Sequence, residues 1–316
     1  MSCTSATACS AVGLTGLSGE FGNIYLVERW NGTRWTVQAT ASTVNRHSDL
    51  VAVSCVSTTA CTAVGSDARG TLAERWNGTR WWDQPTPTAA NGGDQLLGVS
   101  CISRNVCTAV GMTGGATGLV ERIAGTKWTV QSTPTLSGGS AFLGGVSCTS
   151  ATACIAVGYS YTGAFGNREA LSERWNGSTW TILPTPKPAG TTQSMLTGVS
   201  CTSSTACTAV GGNLSGNILA ERWDGSRWTI QPIPAPESGG EVHGVSCTTA
   251  TACTAVGVGG PGLIVETWNG TTWTLEGLRA AGGELFGVSC TTATACTAVG
   301  SLSNSAITST LAERHP

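Results

Sequence analysis

Apolar residues fall along the chain in short alternating runs, four to a unit, and the unit repeats. Within one unit the runs are LTGVSC at Leu196–Cys201, CTAVG at Cys207–Gly211, ILAERW at Ile218–Trp223 and RWTIQ at Arg227–Gln231. Alternation, β-branched residues and Gly or Asn punctuation mark each run as a strand. No stretch sustains a 3.6-residue period, so almost no helix is expected. The first two runs recur as GVSCISRNVCTAVG at Gly98–Gly111, GVSCTSATACIAVG at Gly145–Gly158 and GVSCTSSTACTAVG at Gly198–Gly211. GVSCTTATACTAVG follows at Gly244–Gly257 and Gly287–Gly300. A looser version starts at Ala52 and one without its front at Met1, which makes seven copies. A fixed period of about 45 residues outranks every other signal, because overlooking it misassigns the whole fold.

The turns agree with strands. Asn31-Gly32, Asn77-Gly78, Asn176-Gly177, Asn269-Gly270 and Asp224-Gly225 predict two-residue hairpin turns with positive φ at both central positions, and Ala124-Gly125 is a weaker version. Runs three and four then form one hairpin and runs one and two another, and Pro-rich links (Pro85-Thr86-Pro87, Pro184–Pro188, Pro232–Pro236) lead to the next unit. Seven four-stranded meanders predict an all-β fold, a single seven-bladed β-propeller over 1–316. Its repeats lie at approximately 1–47, 48–93, 94–140, 141–193, 194–239, 240–282 and 283–316. The order of runs resembles a WD40 blade, with LxGVSC innermost. Small residues fill the first two runs and all 12 Trp fall in the last two, as a wedge narrow at the axis and wide at the rim requires. The last unit stops at Leu311–Pro316 without a second Trp, and the first lacks the front of its first strand. A closed ring with a three-stranded last blade is expected, a fragment of a longer chain being the alternative.

Cysteine usage adds a compartment. All 14 Cys fall in C-x5-C pairs: Cys3/Cys9, Cys55/Cys61, Cys101/Cys107, Cys148/Cys154, Cys201/Cys207, Cys247/Cys253 and Cys290/Cys296. Cross-strand partners in non-hydrogen-bonded positions stand roughly 4.5 Å apart at Cα, within disulfide reach. Seven local disulfides are expected, each worth roughly 2 kcal/mol on a chain-entropy model, and they imply an oxidising, extracellular setting. Four-cysteine zinc sites would need pairs of pairs, and seven pairs cannot all double up. The three His (His47, His243, His315) do not repeat, so no metal or cofactor is expected. A net charge of -2 with 11% charged residues gives no footprint for nucleic acid. No apolar run reaches the length of a membrane span. No secretory leader precedes Met1, so export implies one removed from, or left out of, this chain.

In a meander the near-identical disulfide turns and NG turns share one face, and everything that varies lies on the other. On the divergent face Leu14–Tyr25 and Tyr159–Ala170 are long, share Gly-x-Phe-Gly-Asn and hold all three Tyr: Tyr25, Tyr159 and Tyr161. Such aromatics suit sugar or peptide recognition, unless the loops pack on themselves. A Glu recurs in every unit: Glu28, Glu74, Glu121, Glu173, Glu221, Glu266 and Glu313. Arg follows it in six units, at Arg29, Arg75, Arg122, Arg174, Arg222 and Arg314, and Thr267 in the other. A carboxylate on a packed blade face must be paired or hydrogen-bonded, which predicts a ring of Glu–Arg or Glu–backbone contacts between blades.

The hairpin LAERWNGTRWTVQ also resembles that of fucose-binding propeller lectins of fungi and bacteria. The resemblance implies a Glu that helps hold a sugar between blades beside stacked Trp. On this chain it selects Glu28 with Trp30 and Trp35, Glu74 with Trp76 and Trp81, and Glu173 with Trp175 and Trp180. Glu221 with Trp223 and Trp228, and Glu266 with Trp268 and Trp273, complete the set. The third unit departs at Ile123-Ala124, the run that should donate the sugar-binding Arg reads CTAVG, and those lectins have six blades. The VSCTSATACTAVG units further resemble exported actinobacterial repeat proteins. Asp is scarce (Asp49, Asp67, Asp83, Asp94, Asp224), and the runs expected at the axis carry no ionisable group besides Cys and His243. No phosphate loop or positioned hydrolytic triad is visible. The expected function is therefore non-enzymatic: a secreted, multivalent carbohydrate-binding protein using inter-blade sites. The alternatives are a protein-binding or cell-surface scaffold acting through the variable loops, and a glycoside hydrolase or lyase working at the axis.

Overall fold

Each unit folds as the meander that its pattern predicts. A computed structural model describes residues 1–15, 24–40, 48–87, 93–136, 140–162, 167–260, 262–276, 282–303 and 308–315. Blade 5 is typical, with strands Met195–Ser203, Ala206–Gly212, Ile218–Trp223 and Trp228–Gln231 paired in that order, all antiparallel. Blades 1 to 4 run Ser2–Val37, Asp49–Asp83, Gln95–Gln131 and Ala141–Leu183; blade 6 is Gly240–Leu275. Blade 7 has three strands, Gly283–Cys290, Cys296–Ser303 and Thr308–His315. No helix occurs among the described residues. The Gly-x-Phe-Gly-Asn segments of the two long loops lie outside the described residues, apart from Asn167.

Every C-x5-C pair closes on itself: Cys3–Cys9, Cys55–Cys61, Cys101–Cys107, Cys148–Cys154, Cys201–Cys207, Cys247–Cys253 and Cys290–Cys296. No cysteine is free. The partners sit opposite each other in the first hairpin of the blade. Their Cα atoms stand 3.9 to 4.0 Å apart, closer than the separation expected from an ordinary cross-strand pair.

The spacing predicts the pairing and is silent on the burial. The first cysteine of each pair is half-buried, as at Cys3, Cys55 and Cys101. The second is core: Cys9, Cys61 and Cys107 are only 2, 4 and 1% exposed, and Cys154, Cys207, Cys253 and Cys296 are buried likewise. The reason is position. The first strand lines the axis, whereas the second strand is interior, between the first and the third, so its cysteine enters the wedge between blades. Cys61 packs with Trp76 and Trp81, and Cys107 with Ile123 and Trp128. These sulfurs are therefore packing atoms as well as cross-links.

The second turn differs from expectation. Trp30 pairs with Trp35 and Trp223 with Trp228, so four residues, not two, make the loop. Only the Gly is left-handed, as at Gly32 (φ 95°) and Gly225 (φ 96°). The Asn or Asp stays at negative φ and caps the loop with its side chain: Asn31 Oδ1 accepts from the amides of Thr33 and Arg34, both at 3.0 Å. A side-chain cap of this kind replaces the second left-handed residue.

The blades join through three sets of contacts. Nearest the axis, the cysteine amide on each first strand has no fourth-strand neighbour to bond, because that strand is a sheet edge. The serine before the first Cys of the preceding blade accepts it. Ser2, Ser54, Ser100, Ser147, Ser200, Ser246 and Ser289 receive the amides of Cys55, Cys101, Cys148, Cys201, Cys247, Cys290 and Cys3 at 2.9 to 3.0 Å. The bond from Cys3 to Ser289 joins blade 1 to blade 7 and closes the circle.

Farther out, a second-strand hydroxyl meets the buried sulfur of the next blade. Ser10 meets Cys61 at 3.8 Å, Thr62 meets Cys107 at 3.6 Å, Thr208 meets Cys253 at 3.5 Å and Thr254 meets Cys296 at 3.3 Å. At the rim, Arg of the third strand reaches a turn carbonyl of the next blade. Between these polar contacts lie apolar wedges. In one, Ile155 and Val157 of blade 4 pack on Leu196, Cys207, Ala209, Leu219, Trp223 and Trp228 of blade 5.

Close approach at the axis explains the glycine of GVSC. A Cβ on Gly198 would stand 2.9 Å from the His243 carbonyl oxygen of the next blade, and one on Gly145 would stand 3.1 Å from that of Thr197. Ala52 holds this position in blade 2, so a methyl can be accommodated there. The glycine of AVG is tighter: opposite a bulge in the first strand, a Cβ on Gly257 would meet the Glu241 carbonyl oxygen at 1.9 Å. Gly257→Ala is expected to lower stability by at least about 3 kcal/mol, and Gly198→Ala by clearly less. Denaturant titrations of the two variants check the order.

Candidate functional site

The repeated Glu lies on the blade face that packs against the preceding blade. Glu74, Glu121, Glu173, Glu221 and Glu266 are all 0 to 1% exposed, while Glu28 and Glu313 are half-buried. Two of the buried five find a hydroxyl across the wedge. Tyr25 donates to Glu74 Oε1 at 2.8 Å, and Thr71 donates to Glu121 Oε1 at 2.9 Å. The matching positions facing Glu173, Glu221 and Glu266 are Gly118, Ala170 and Ile218, which carry no hydroxyl. Both carboxyl oxygens of Glu221 and Glu266, and Oε2 of Glu173, lack a hydrogen-bond partner among the protein groups.

Ionising such a group is costly, so burial pushes the carboxyls up: Glu173 to about 7, Glu221 to about 8, and Glu266 to about 8 with help from the charge of Glu276. Burial also raises Glu121 to about 7 against the opposing Thr71 bond.

The expected Glu–Arg ring does not form. Alternation sends Arg to the opposite face, toward the next blade, and no ion pair among the described residues joins the two rows. Arg29 donates to the Thr58 carbonyl (2.9 Å), Arg122 to that of Ala151 (2.7 Å) and Arg314 to that of Ala6 (2.5 Å), and Arg75 reaches the Arg104 carbonyl. The same guanidinium lies over the next blade's first indole: Arg29 over Trp76 at 4.5 Å, Arg122 over Trp175 at 4.4 Å, Arg222 over Trp268 at 5.2 Å and Arg314 over Trp30 at 4.8 Å.

The indoles are correspondingly covered. Trp76, Trp175 and Trp223 donate to turn carbonyls of their own blades at 3.2 to 3.3 Å. The second Trp of each hairpin tilts against the first with centroids 5.7 to 5.8 Å apart. Trp81, Trp180, Trp228 and Trp273 are buried, and Trp30 and Trp35 half-buried. The arrangement expected from the lectin resemblance, an open carboxylate beside an exposed indole, is thereby corrected. In blades 2, 4, 5 and 6 Glu and Trp seal the wedge, because the third strand is interior and its Glu points at the neighbour, while Glu28, Trp30 and Trp35 of blade 1 stay half-buried.

What stays accessible lies one step outward. Between blades 5 and 6 a rim groove of about 480 Å³ is lined by Arg222, Thr229, Gln231, Trp268, Gly270 and Thr271, among others. Gln231 donates to Thr229 Oγ1 at 3.2 Å, and Arg222 donates to Thr208 Oγ1 at 3.3 Å. Asp224 also borders the groove, but the hydroxyl of Ser226 and the amides of Arg227 and Ser226 engage its carboxylate and hold it down at about 2. Of this lining the sequence singles out Trp223 and Trp268 as ligand candidates but not Arg222, Thr229 or Gln231. Their signal was the Thr-x-Gln after the second Trp, which projects to the same face as Arg.

On the divergent face the hairpin of blade 4 pairs as far out as Tyr161 with Arg168 and Thr162 with Asn167. Phe142 stacks on Tyr159 (4.8 Å), Tyr161 meets Tyr159 edge-on (5.4 Å), and Arg168 lies over Tyr159 at 4.8 Å. The two expected Tyr candidates therefore share one half-buried cluster, and burial pushes the Tyr159 hydroxyl up to about 12. Tyr25 sits apart, bonded to Glu74.

The innermost strands begin earlier than their sequence pattern indicated. They include Asp49, Glu241 and Glu284, which corrects the expectation of no carboxylate there. His243 pairs with Glu284 at 3.0 Å beside the exposed Phe286. Among the described residues no group of His, Cys, Asp or Glu is placed to hold a metal ion.

No family model matches the chain, and no curated protein matches its sequence. The fold has solved counterparts of low identity. The SapL1 lectin in complex with α-methyl fucoside is similar with a TM-score of 0.55 at 14% identity, covering 86% of this chain and 97% of that one. YCF48 from Cyanidioschyzon merolae gives 0.61 at 15%, with 97% and 99% covered. YCF48 bound to a D1 peptide gives 0.59 at 10%, with 95% of each chain covered. The chain is thus a seven-bladed β-propeller of WD40-like blade order.

The buried carboxyls set a pH dependence. Their folded-state values lie above the ordinary 4.5, so the folded protein holds these protons more tightly than the unfolded chain. Their contribution is complete below about 4.5 and is lost as pH rises through about 8. Tm should fall between pH 5 and pH 9, and Glu221→Gln should flatten that slope and raise Tm at pH 9. A Tm that climbs over this interval, unchanged in slope by the variant, contradicts the assignment.

Proposed function

We propose that the protein is a secreted, non-enzymatic, multivalent carbohydrate-binding propeller whose ligands sit in the rim grooves between blades. The observation that carries this reading is the groove between blades 5 and 6, where a guanidinium, a hydroxyl and an amide stand half-exposed beside an indole. Sugars offer hydroxyls that both donate and accept, and such a set meets them in kind. The likeness to a lectin solved with a fucoside supports the reading. Seven disulfides in one chain suit export. Repeated weak sites gain strength on a surface that displays many copies of the ligand.

A second reading is favoured by the Phe142–Tyr159–Tyr161–Arg168 cluster, which would receive a peptide on the divergent face. One solved counterpart is bound to a peptide.

The two separate in one assay. Serum albumin carrying many copies of one oligosaccharide, drawn in turn from fucosylated, mannosylated and galactosylated sets, is mixed with the protein. The glycan reading predicts turbidity with at least one conjugate, dispersed by the free sugar. Clear solutions with all conjugates, together with capture of peptides that Tyr161→Ser abolishes, would favour the second reading.

A further inference from the structure

We propose that the propeller carries three equivalent saccharide sites, at the rim junctions of blades 1 and 2, 3 and 4, and 5 and 6. Each is built from the Arg, Thr and Gln of one blade and the first Trp of the next. This rests on the glycan reading above and adds to it the site residues and the valency.

The three sets are Arg29, Thr36 and Gln38 with Trp76; Arg122, Thr129 and Gln131 with Trp175; and Arg222, Thr229 and Gln231 with Trp268. Their Gln–Thr–Arg chain repeats closely, while Arg29 and Arg122 also donate to the Thr58 and Ala151 carbonyls and Arg222 to Thr208 Oγ1. Gln donates to Thr Oγ1 at 3.1, 3.2 and 3.2 Å. Thr donates to the Arg carbonyl at 3.2, 3.2 and 3.4 Å. Arg lies 4.5, 4.4 and 5.2 Å over the indole of the next blade. All three Gln are half-buried. Since each amide nitrogen is committed to its Thr, the amide oxygen remains as the acceptor, with the guanidinium as the donor beside it. A donor and an acceptor side by side match a vicinal diol of an uncharged sugar.

The other four junctions are altered. Between blades 2 and 3, Trp82 replaces the Thr, Ile123 replaces the Trp, and Gln84 is buried. Between blades 4 and 5, Leu183 replaces the Gln. Between blades 6 and 7, Thr267 replaces the Arg and bonds to Glu276 at 2.6 Å, and His315 stands at the position of the Trp. Between blades 7 and 1, Arg314 and Trp30 meet, but blade 7 has no fourth strand among the described residues to supply Thr and Gln. Complete sets therefore stand two blades apart from blade 1 to blade 6, with a step of three blades across the closure of the ring.

The test is a printed array of neutral and acidic oligosaccharides, followed by calorimetry with the strongest-bound free oligosaccharide. Wild type should bind neutral glycans with three sites per chain. Each of Gln38→Ala, Gln131→Ala and Gln231→Ala should remove one site and lower array binding by at least about tenfold through lost avidity. The triple variant should bind nothing while keeping the wild-type Tm. Array binding that survives in the triple variant, a stoichiometry other than three, or a preference for acidic glycans overturns this inference and leaves the glycan reading standing. No binding to any glycan by wild type overturns the glycan reading itself.

Discussion

A serine hydroxyl that accepts the amide of the next blade's cysteine is the contact on which the ring depends. The first strand of each blade is an edge with no strand beyond it, and its backbone donors would be left over at the crowded axis. In the V-S-C triplet the serine serves the following blade, while its neighbour cysteine fastens the strand to the second strand of its own blade. One dipeptide thus holds both directions at once, around the axis and outward from it. Glycine two residues earlier allows the inner strands to approach until backbone meets backbone. A repeat that keeps G-V-S-C therefore keeps the radius of the ring, and the segments between blades are free to differ.

The Glu and Arg of the third strand show how alternation divides labour. Adjacent in the chain, they look to opposite neighbours. Arg29, Arg122 and Arg314 are clamped between a turn carbonyl and an indole, where the charge is compensated by a carbonyl dipole and a π face. Glu enters the apolar wedge, where an uncharged carboxyl is the stable form. Tyr25 and Thr71 give two of these acids a partner, and Glu221 and Glu266 have none among the described residues. The wedges of blades 3 to 6 are consequently those whose stability responds most to pH.

Much of the architecture was legible because it is written several times over. Blade number, strand order, disulfide partners and the short last blade follow from one period and from residue size. Other features were not legible for physical reasons. The C-x5-C spacing names the partners, but the burial of Cys9, Cys61 and Cys107 depends on the blade that closes over the second strand. Asn-Gly announces a turn but not its length, and the side-chain cap that lets Asn31 avoid a left-handed conformation depends on the Thr and Arg after it. That Glu221 lacks a hydroxyl partner is decided by Ala170 of another blade, some 50 residues away, which no local pattern reports. Nothing local sets Thr229 and Gln231 apart from other outer-strand residues. Only the placement of Trp268 against them turns their side of the strand into a groove. The starts of the inner strands, with Asp49, Glu241 and Glu284, escaped notice because the bulge after them interrupts the alternation.

Ring closure is tested most directly by hydrogen exchange at the seven cysteine amides that meet a serine. The account predicts that Cys3, whose bond spans the junction of first and last blades, is protected to the same degree as Cys201 and Cys247. Rapid exchange at Cys3 beside slow exchange at the other six would show an open chain of blades, and would contradict it.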